Sequence, residues 1–320
     1  MKRIIFILMV LFVAFSGSFA EERKLASTYL TDGIAAYDSG NYLNSILNFR
    51  SAEQLSPLPG IVYKYLGMSY AKLSLWKQAA LAMNMVLFVS PDDPERADIV
   101  RDIRDWEGNK ESFPMVATYT FYRIKFKNRI WADPNNLLNY LSLAEVFKCS
   151  GRYEEAENFF SALMKSRPAQ TNFKKYLAEA YYLDGKYSEA GNLYKKILDD
   201  EPLNTGAVIG YNMVLKQRYE NVLVIQPGNI LTYIKIARVM KDIKRYEDAV
   251  SAYEKYLEKD SGNAEVNREL DETKKILEAV SPKATAPQVT ASQETTSQDT
   301  VTRETLPQDT ATQETAPSAN

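Results

Sequence analysis

Apolar residues in this chain recur at three- and four-residue steps, and the recurrence restarts at regular intervals. Over 137–170, Tyr140, Leu143, Ala144 and Phe147 fall on one helix face, while Ala156, Phe160 and Leu163 fall on the face of a second helix. Gly151-Arg152-Tyr153 separates the two, and Gly185-Lys186-Tyr187 does the same one unit later. Glycine lets the chain reverse there without a Cβ penalty, so each unit is expected to be two antiparallel helices joined by a tight turn. Pro57, Pro91, Pro168 and Pro202 close four such stretches, and the members of each pair lie 34 residues apart. Gly33, Gly67, Ala144 and Ala178 stand 24 residues before the closing proline, and Ser45, Ala79, Ala156 and Ala190 stand 12 before it. Small side chains at fixed offsets allow close helix approach, and proline stops the second helix. Ala156→Leu or Ala190→Leu is expected to overpack that contact at about 1–3 kcal/mol, and Glu179→Ala to change stability little.

The landmarks Tyr63, Leu66-Gly67, Tyr70, Ala79 and Pro91, repeated as Tyr176-Leu177-Ala178, Tyr181, Gly185, Ala190, Tyr194 and Pro202, resemble the tetratricopeptide repeat (TPR). On that template, clear units occupy 26–59, 60–93, 137–170 and 171–204. A weaker unit, 230–263, keeps Tyr233, Ala237, Ala249 and Tyr253 but ends at Ser261. Pro134 and Pro227 mark divergent units, an enlarged hairpin over 94–136 and a shortened one over 205–229. Residues 264–279 read as a polar-faced capping helix, so the array runs continuously over 21–279. The expected fold class is all-α, a TPR-like solenoid of helix–turn–helix repeats.

The resemblance implies a right-handed superhelix whose first helices line a concave groove for peptides or partner domains. Family offsets place Lys64, Met68 and Lys72 on that groove in the second unit, and Glu145, Lys148 and Cys149 in the 137–170 unit. They place Lys175, Glu179 and Tyr182 in the next unit and Arg238 and Lys241 in the last, with Tyr65 and Tyr176 nearby. The family's carboxylate clamp wants Lys followed four residues on by Asn. Lys64 is followed instead by Met68 and Lys175 by Glu179, so that specialisation is not expected. A mixed-charge groove suits a protein partner, and ordinary solvated helix faces account for the same charges.

Composition narrows the function. With 45% hydrophobic and 25% charged residues and a net charge of −2, nothing points to bulk nucleic-acid affinity. There is no histidine, which removes Ser–His and Cys–His nucleophiles and His-ligated metals together. Glu154-Glu155 and Asp199-Asp200-Glu201 fall at helix ends, where the dipole or solvent accounts for them. No catalytic residue, cofactor or metal is expected, and the chain is not read as an enzyme. Cys149 is the single cysteine, read as a small apolar residue, with a reactive thiol or intermolecular disulfide as the alternative.

Residues 113–131 carry two competing periodicities. On a helix, Met115, Tyr119, Tyr122, Phe126 and Ile130 form one stripe beside Arg123, Lys125, Lys127 and Arg129. On a strand, Tyr122, Ile124, Phe126 and Ile130 alternate with those basic residues. A helix is favoured because no second strand offers a partner, while a strand would allow β-augmentation. The basic residues read as a solvated helix edge, ahead of an acidic partner or membrane surface and of nucleic acid.

The two ends differ from the body. Lys2-Arg3, an apolar run from Ile4 to Phe15 and Ser18-Phe19-Ala20 read as a signal peptide over 1–20. The apolar run is shorter than the roughly 20 residues that span a bilayer, so an uncleaved anchor is the lesser reading. No cysteine stands near Ala20 to take a lipid, so the chain is expected to be periplasmic or secreted without a lipid anchor. Residues 280–320 are rich in Thr, Gln and Pro, with Thr recurring every fifth position from Thr285 to Thr315. Such sequence is expected to be a disordered spacer, with a glycosylated or polymer-binding tail as the alternative. The resemblance to the TPR family, with the leader-like start, implies an exported protein–protein interaction scaffold of unknown oligomeric state. The alternative is a docking adaptor for envelope polysaccharide or cell-wall machinery.

Overall fold

The computed structural model describes residues 25–56, 58–109, 116–167 and 171–281. The expected signal peptide and the tail beyond Ser281 lie outside the described residues, as do Pro57 and Pro168. Among the described residues the secondary structure is fourteen helices and no strand. Helix α1 covers 25–38, followed by α2 (Tyr42–Leu55), α3 (Gly60–Lys72), α4 (Trp76–Val89) and α5 (Arg96–Glu107). Then come α6 (Val116–Ala132), α7 (Leu137–Cys149), α8 (Tyr153–Ser166), α9 (Thr171–Leu183) and α10 (Tyr187–Asp200). The chain continues through α11 (Thr205–Ile225), α12 (Leu231–Asp242), α13 (Tyr246–Leu257) and α14 (Ala264–Val280).

Sequence neighbours pack as antiparallel pairs, with α3 on α4, α9 on α10 and α12 on α13, and α14 covers α13. The turns explain the recurring glycines. Gly40, Gly151 and Gly185 have φ of 76°, 67° and 80°, and Ser74 and Lys244 take the same left-handed conformation at 57° and 65°. The small residue 24 before each proline is also accounted for. A Cβ on Gly33 would come within 2.6 Å of the Phe49 ring, and Ala144 and Ala178 are fully buried.

Two segments depart from expectation. The shortened hairpin expected over 205–229 is one helix of 21 residues, α11. Between Tyr211 and Ile225 no glycine or proline interrupts it, and it stops just before Pro227. Over 94–136, α5 packs against α4 whereas α6 packs against α7, so the two halves of the expected enlarged hairpin belong to different stacks. Residues 116–132 are helical, which decides the helix-or-strand question there. Tyr119 and Phe126 point inward and are 5% exposed, while Phe121, Ile124 and Trp131 face solvent.

The result is two blocks, α1–α5 and α6–α14, within one compact unit. The first lies against the second through its second helices, since α2 packs on α7 and α4 packs on α11. Helix α4 (WKQAALAMNMVLFV) is apolar on all sides for this reason. Its Ala79, Met83 and Val86 belong to the core that begins in the first block, while Leu81, Met85 and Phe88 pack against the core of α9–α14.

Candidate functional site

The most heavily charged interior position is where α2 crosses α7 and α9. Arg50 and Glu53 are one turn apart on α2, Glu145 and Lys148 one turn apart on α7, and Lys175 and Glu179 one turn apart on α9. Each pair therefore presents opposite charges to one side. Lys148 Nζ lies 2.8 Å from Glu145 and 2.5 Å from Glu179, with the Tyr176 ring centroid 5.3 Å away. Arg50 lies 2.7 Å from Glu53, 3.6 Å from Glu145 and 3.7 Å from Glu179, and Lys175 lies 3.6 Å from Glu53. Tyr70 of α3 donates its hydroxyl to Glu145, and Gln54 donates to the Tyr176 hydroxyl at 2.5 Å. Three cations meet three anions, so the cluster can stay ionised where little water reaches.

Burial raises the Glu53 carboxyl, but Lys175 and Arg50 overcome it and bring the pKa down to about 2. For Glu145 and Glu179, burial also pushes up while Lys148 and then Arg50 pull down, and both end below the ordinary carboxylate value. Burial drives the Cys149 thiol well up, helped by the Glu145 carboxylate, whose oxygen accepts from Sγ at 3.6 Å. The thiol is fully buried and free, an environment that holds it protonated and shields it from reagents.

A second cluster closes the opposite end of the seam. Arg96 of α5 grips both oxygens of Glu247 at 2.8 Å and also donates to the carbonyl of Lys244, the left-handed turn residue between α12 and α13. Glu107 of α5 meets Arg245 at 2.6 Å and Lys216 of α11 at 3.2 Å, and Arg104 and Arg245 both meet Asp248 at 2.6 Å. Burial raises Glu107 and Asp248, yet Arg245 and its neighbours take both below their usual values.

The groove positions inferred from family offsets fall into three groups. Glu145, Lys148, Tyr176, Glu179 and Tyr182 are buried and Lys175 half-buried, where α2 and α4 of the same chain lie against α7, α9 and α11. Lys64, Tyr65, Met68 and Lys72 sit apart on α3. Lys64 pairs with Asp93 at 2.7 Å, Met68 accepts from Tyr37 at 3.8 Å, and Lys72 is exposed. Arg238 and Lys241 of α12 pair with Glu269 at 2.6 Å and Glu272 at 3.8 Å on α14. The near-neutral effect expected for Glu179→Ala does not fit this placement, because the change would strip a buried lysine of a partner. Arg50, Glu53, Gln54 and Tyr70 complete the cluster, and no sequence motif singles them out. The available signal was that α4 and α7 carry apolar residues on every face.

Residues 149–208, from the α7–α8 turn into α11, match a family model described as Tetratricopeptide repeat. No curated protein matches the sequence. Among solved structures, a tetratricopeptide repeat protein from Parabacteroides merdae ATCC 43184 aligns at 12% identity and TM-score 0.30, covering 78% of this chain and 99% of its own. The C-terminal part of a TPR repeat-containing protein from Cytophaga hutchinsonii aligns at 16% identity and TM-score 0.30, covering 74% and 98%. A thermophilic TPR protein from Thermus thermophilus aligns at 14% identity and TM-score 0.26, covering 78% and 98%.

Proposed function

We propose that the chain is an exported, non-enzymatic protein–protein interaction scaffold, delivered to the periplasm or beyond by the leader-like residues 1–20. One observation carries the reading: the charges on α7 and α9 hold a polypeptide helix, α2, through Arg50 and Glu53. A surface that accommodates a helix of its own chain is suited to a partner segment of similar charge pattern. Such a partner must displace α2 or use surfaces left open, of which Lys72 on α3 is part.

The test is a crosslinking pull-down from an envelope fraction, using the chain with and without 281–320. Recovery of a defined protein partner is expected in both. Recovery of glycan with no protein would overturn the scaffold reading. That outcome would favour an adaptor for envelope polysaccharide, a reading supported by a polar cleft between the two blocks.

A further inference from the structure

A cleft of about 780 Å³ opens between α1 and α2 of the first block and α6 and α7 of the second. Two rows of neutral polar side chains run along its walls. On the α2 side, Asn41, Asn44, Asn48 and Ser51 recur at three- and four-residue steps, which places them on one helix face. On the α7 side, Asn136, Asn139 and Ser142 do the same. Asn41 and Asn136 each use a side-chain oxygen to cap their helix. Asn139 and Ser142 are different: the residues are only 9% and 8% exposed, they line the cleft, and their side-chain polar atoms bond no described residue and are not sealed from the cleft. These groups are held on a covered wall, spend no bond among the described residues and open onto the cleft, so their donors and acceptors are offered to whatever occupies it.

The lining also defines the ligand. Asp32 and Asp133 balance Lys125 and Arg129, so the cleft carries no net charge and selects neither a polyanion nor a polycation. Apart from Tyr29 and Leu138, which are half-buried, the apolar lining is small or mostly covered, as with Leu47 and Phe126, each 5% exposed, and several alanines. A peptide anchored by its side chains needs apolar pockets, and single-stranded nucleic acid needs basic charge with open aromatic platforms. Rows of amides and hydroxyls, each both donor and acceptor, match a molecule that carries hydroxyls along its length. We propose that the cleft binds a neutral oligosaccharide chain, with Asn44, Asn48, Asn139 and Ser142 bonding its hydroxyls and Tyr29 flanking a sugar face. This deepens the adaptor reading and is independent of any protein partner, so a failed sugar titration leaves the pull-down result standing.

Because both blocks contribute walls, a bound sugar links them and raises resistance to unfolding. The experiment is calorimetric titration of the full chain with maltotetraose, cellotetraose and chitotetraose, each taken to about 10 mM. At least one is expected to bind with a Kd below about 1 mM and to raise the unfolding temperature. Asn139→Ala and, on the opposite wall, Asn48→Ala are each expected to weaken binding about tenfold or more with an unchanged circular dichroism spectrum. Absence of binding by all three sugars, or binding that neither variant weakens, would overturn the proposal. So would binding of a neutral Ser/Gly pentapeptide that both variants abolish while the sugars stay silent, an outcome that would assign the cleft to polypeptide.

Discussion

At the α2 end of the seam, six charged side chains are almost shut away from water, with Glu145 and Lys148 at 0% and 1% side-chain exposure. At the α5 end, Arg96 and Arg245 are as deeply buried, but their carboxylate partners Glu247 and Glu107 keep 22% and 20%. Both ends balance charge against charge. They differ in what is left behind when one member is lost. At the α2 end an abandoned Glu145 carboxylate is fully covered, whereas at the α5 end Glu107 or Glu247 can turn outward and hydrate. The first end therefore acts as a fixed registration point and the second as an adjustable one.

The strongest challenge to that comparison is Lys148→Ala, which leaves the two carboxylates Glu145 and Glu179 with Arg50 alone, at 3.6 and 3.7 Å, as their shared cation in the interior. It is expected to cost about 3–5 kcal/mol in urea denaturation. A cost no larger than that of an exposed pair would break the comparison. Acid comes next. Glu53 titrates near 2 in the fold against an ordinary 4.5, so the stability it lends is complete above about 4.5 and drains away as the pH falls toward 2. Glu145 and Glu179 move in the same direction. A drop on the order of 3 kcal/mol between pH 6 and pH 2 is expected from Glu53 alone, and Glu53→Gln should flatten that part of the profile. An unchanged profile in the variant would show that another group governs acid unfolding.

Arg245→Ala should cost about 1.5–3 kcal/mol, because Glu107 retains Lys216 and Asp248 retains Arg104. Raising the salt concentration to about 1 M should shrink that cost more than the cost of Lys148→Ala, since ions reach the α5 end. The smallest effect belongs to Arg104→Ala. Its side chain is 48% exposed, and its removal should change stability by less than about 1 kcal/mol. A loss comparable with that of Arg245→Ala would mean that the α5 end is as dry as the other.

The helical pairs were legible because their signals are local. Tyr176, Leu177 and Ala178 on α9 and Ala190 and Tyr194 on α10 define a hairpin whose members touch within one unit, and all are buried as the periodicity implies. The seam was not legible for the opposite reason. Gln54 meets Tyr176 across 122 residues and Arg96 meets Glu247 across 151, and no periodicity couples positions so far apart. On a regular solenoid, Glu145, Lys148 and Glu179 would face an open groove, and mixed charge reads the same whether it faces water, a partner or another part of the chain. The segment 205–229 departs from the hairpin expectation because proline spacing measures unit length but not whether a turn divides the unit. In the polar cleft, Asn44 and Asn48 sit at helical spacing on α2, yet their relation to Asn139 depends on how the blocks meet.

The position of Cys149 gives the seam an intrinsic gauge. Its sulfur is sealed beneath the first block, near Tyr70 and hydrogen-bonded to Glu145, and the chain has no other thiol. A maleimide dye can attach only when the packing over the thiol opens, so the labelling rate of the unaltered protein reports such openings, parting of the blocks among them. Agents that pry the halves apart should accelerate the modification, and any molecule that clasps them together should slow it.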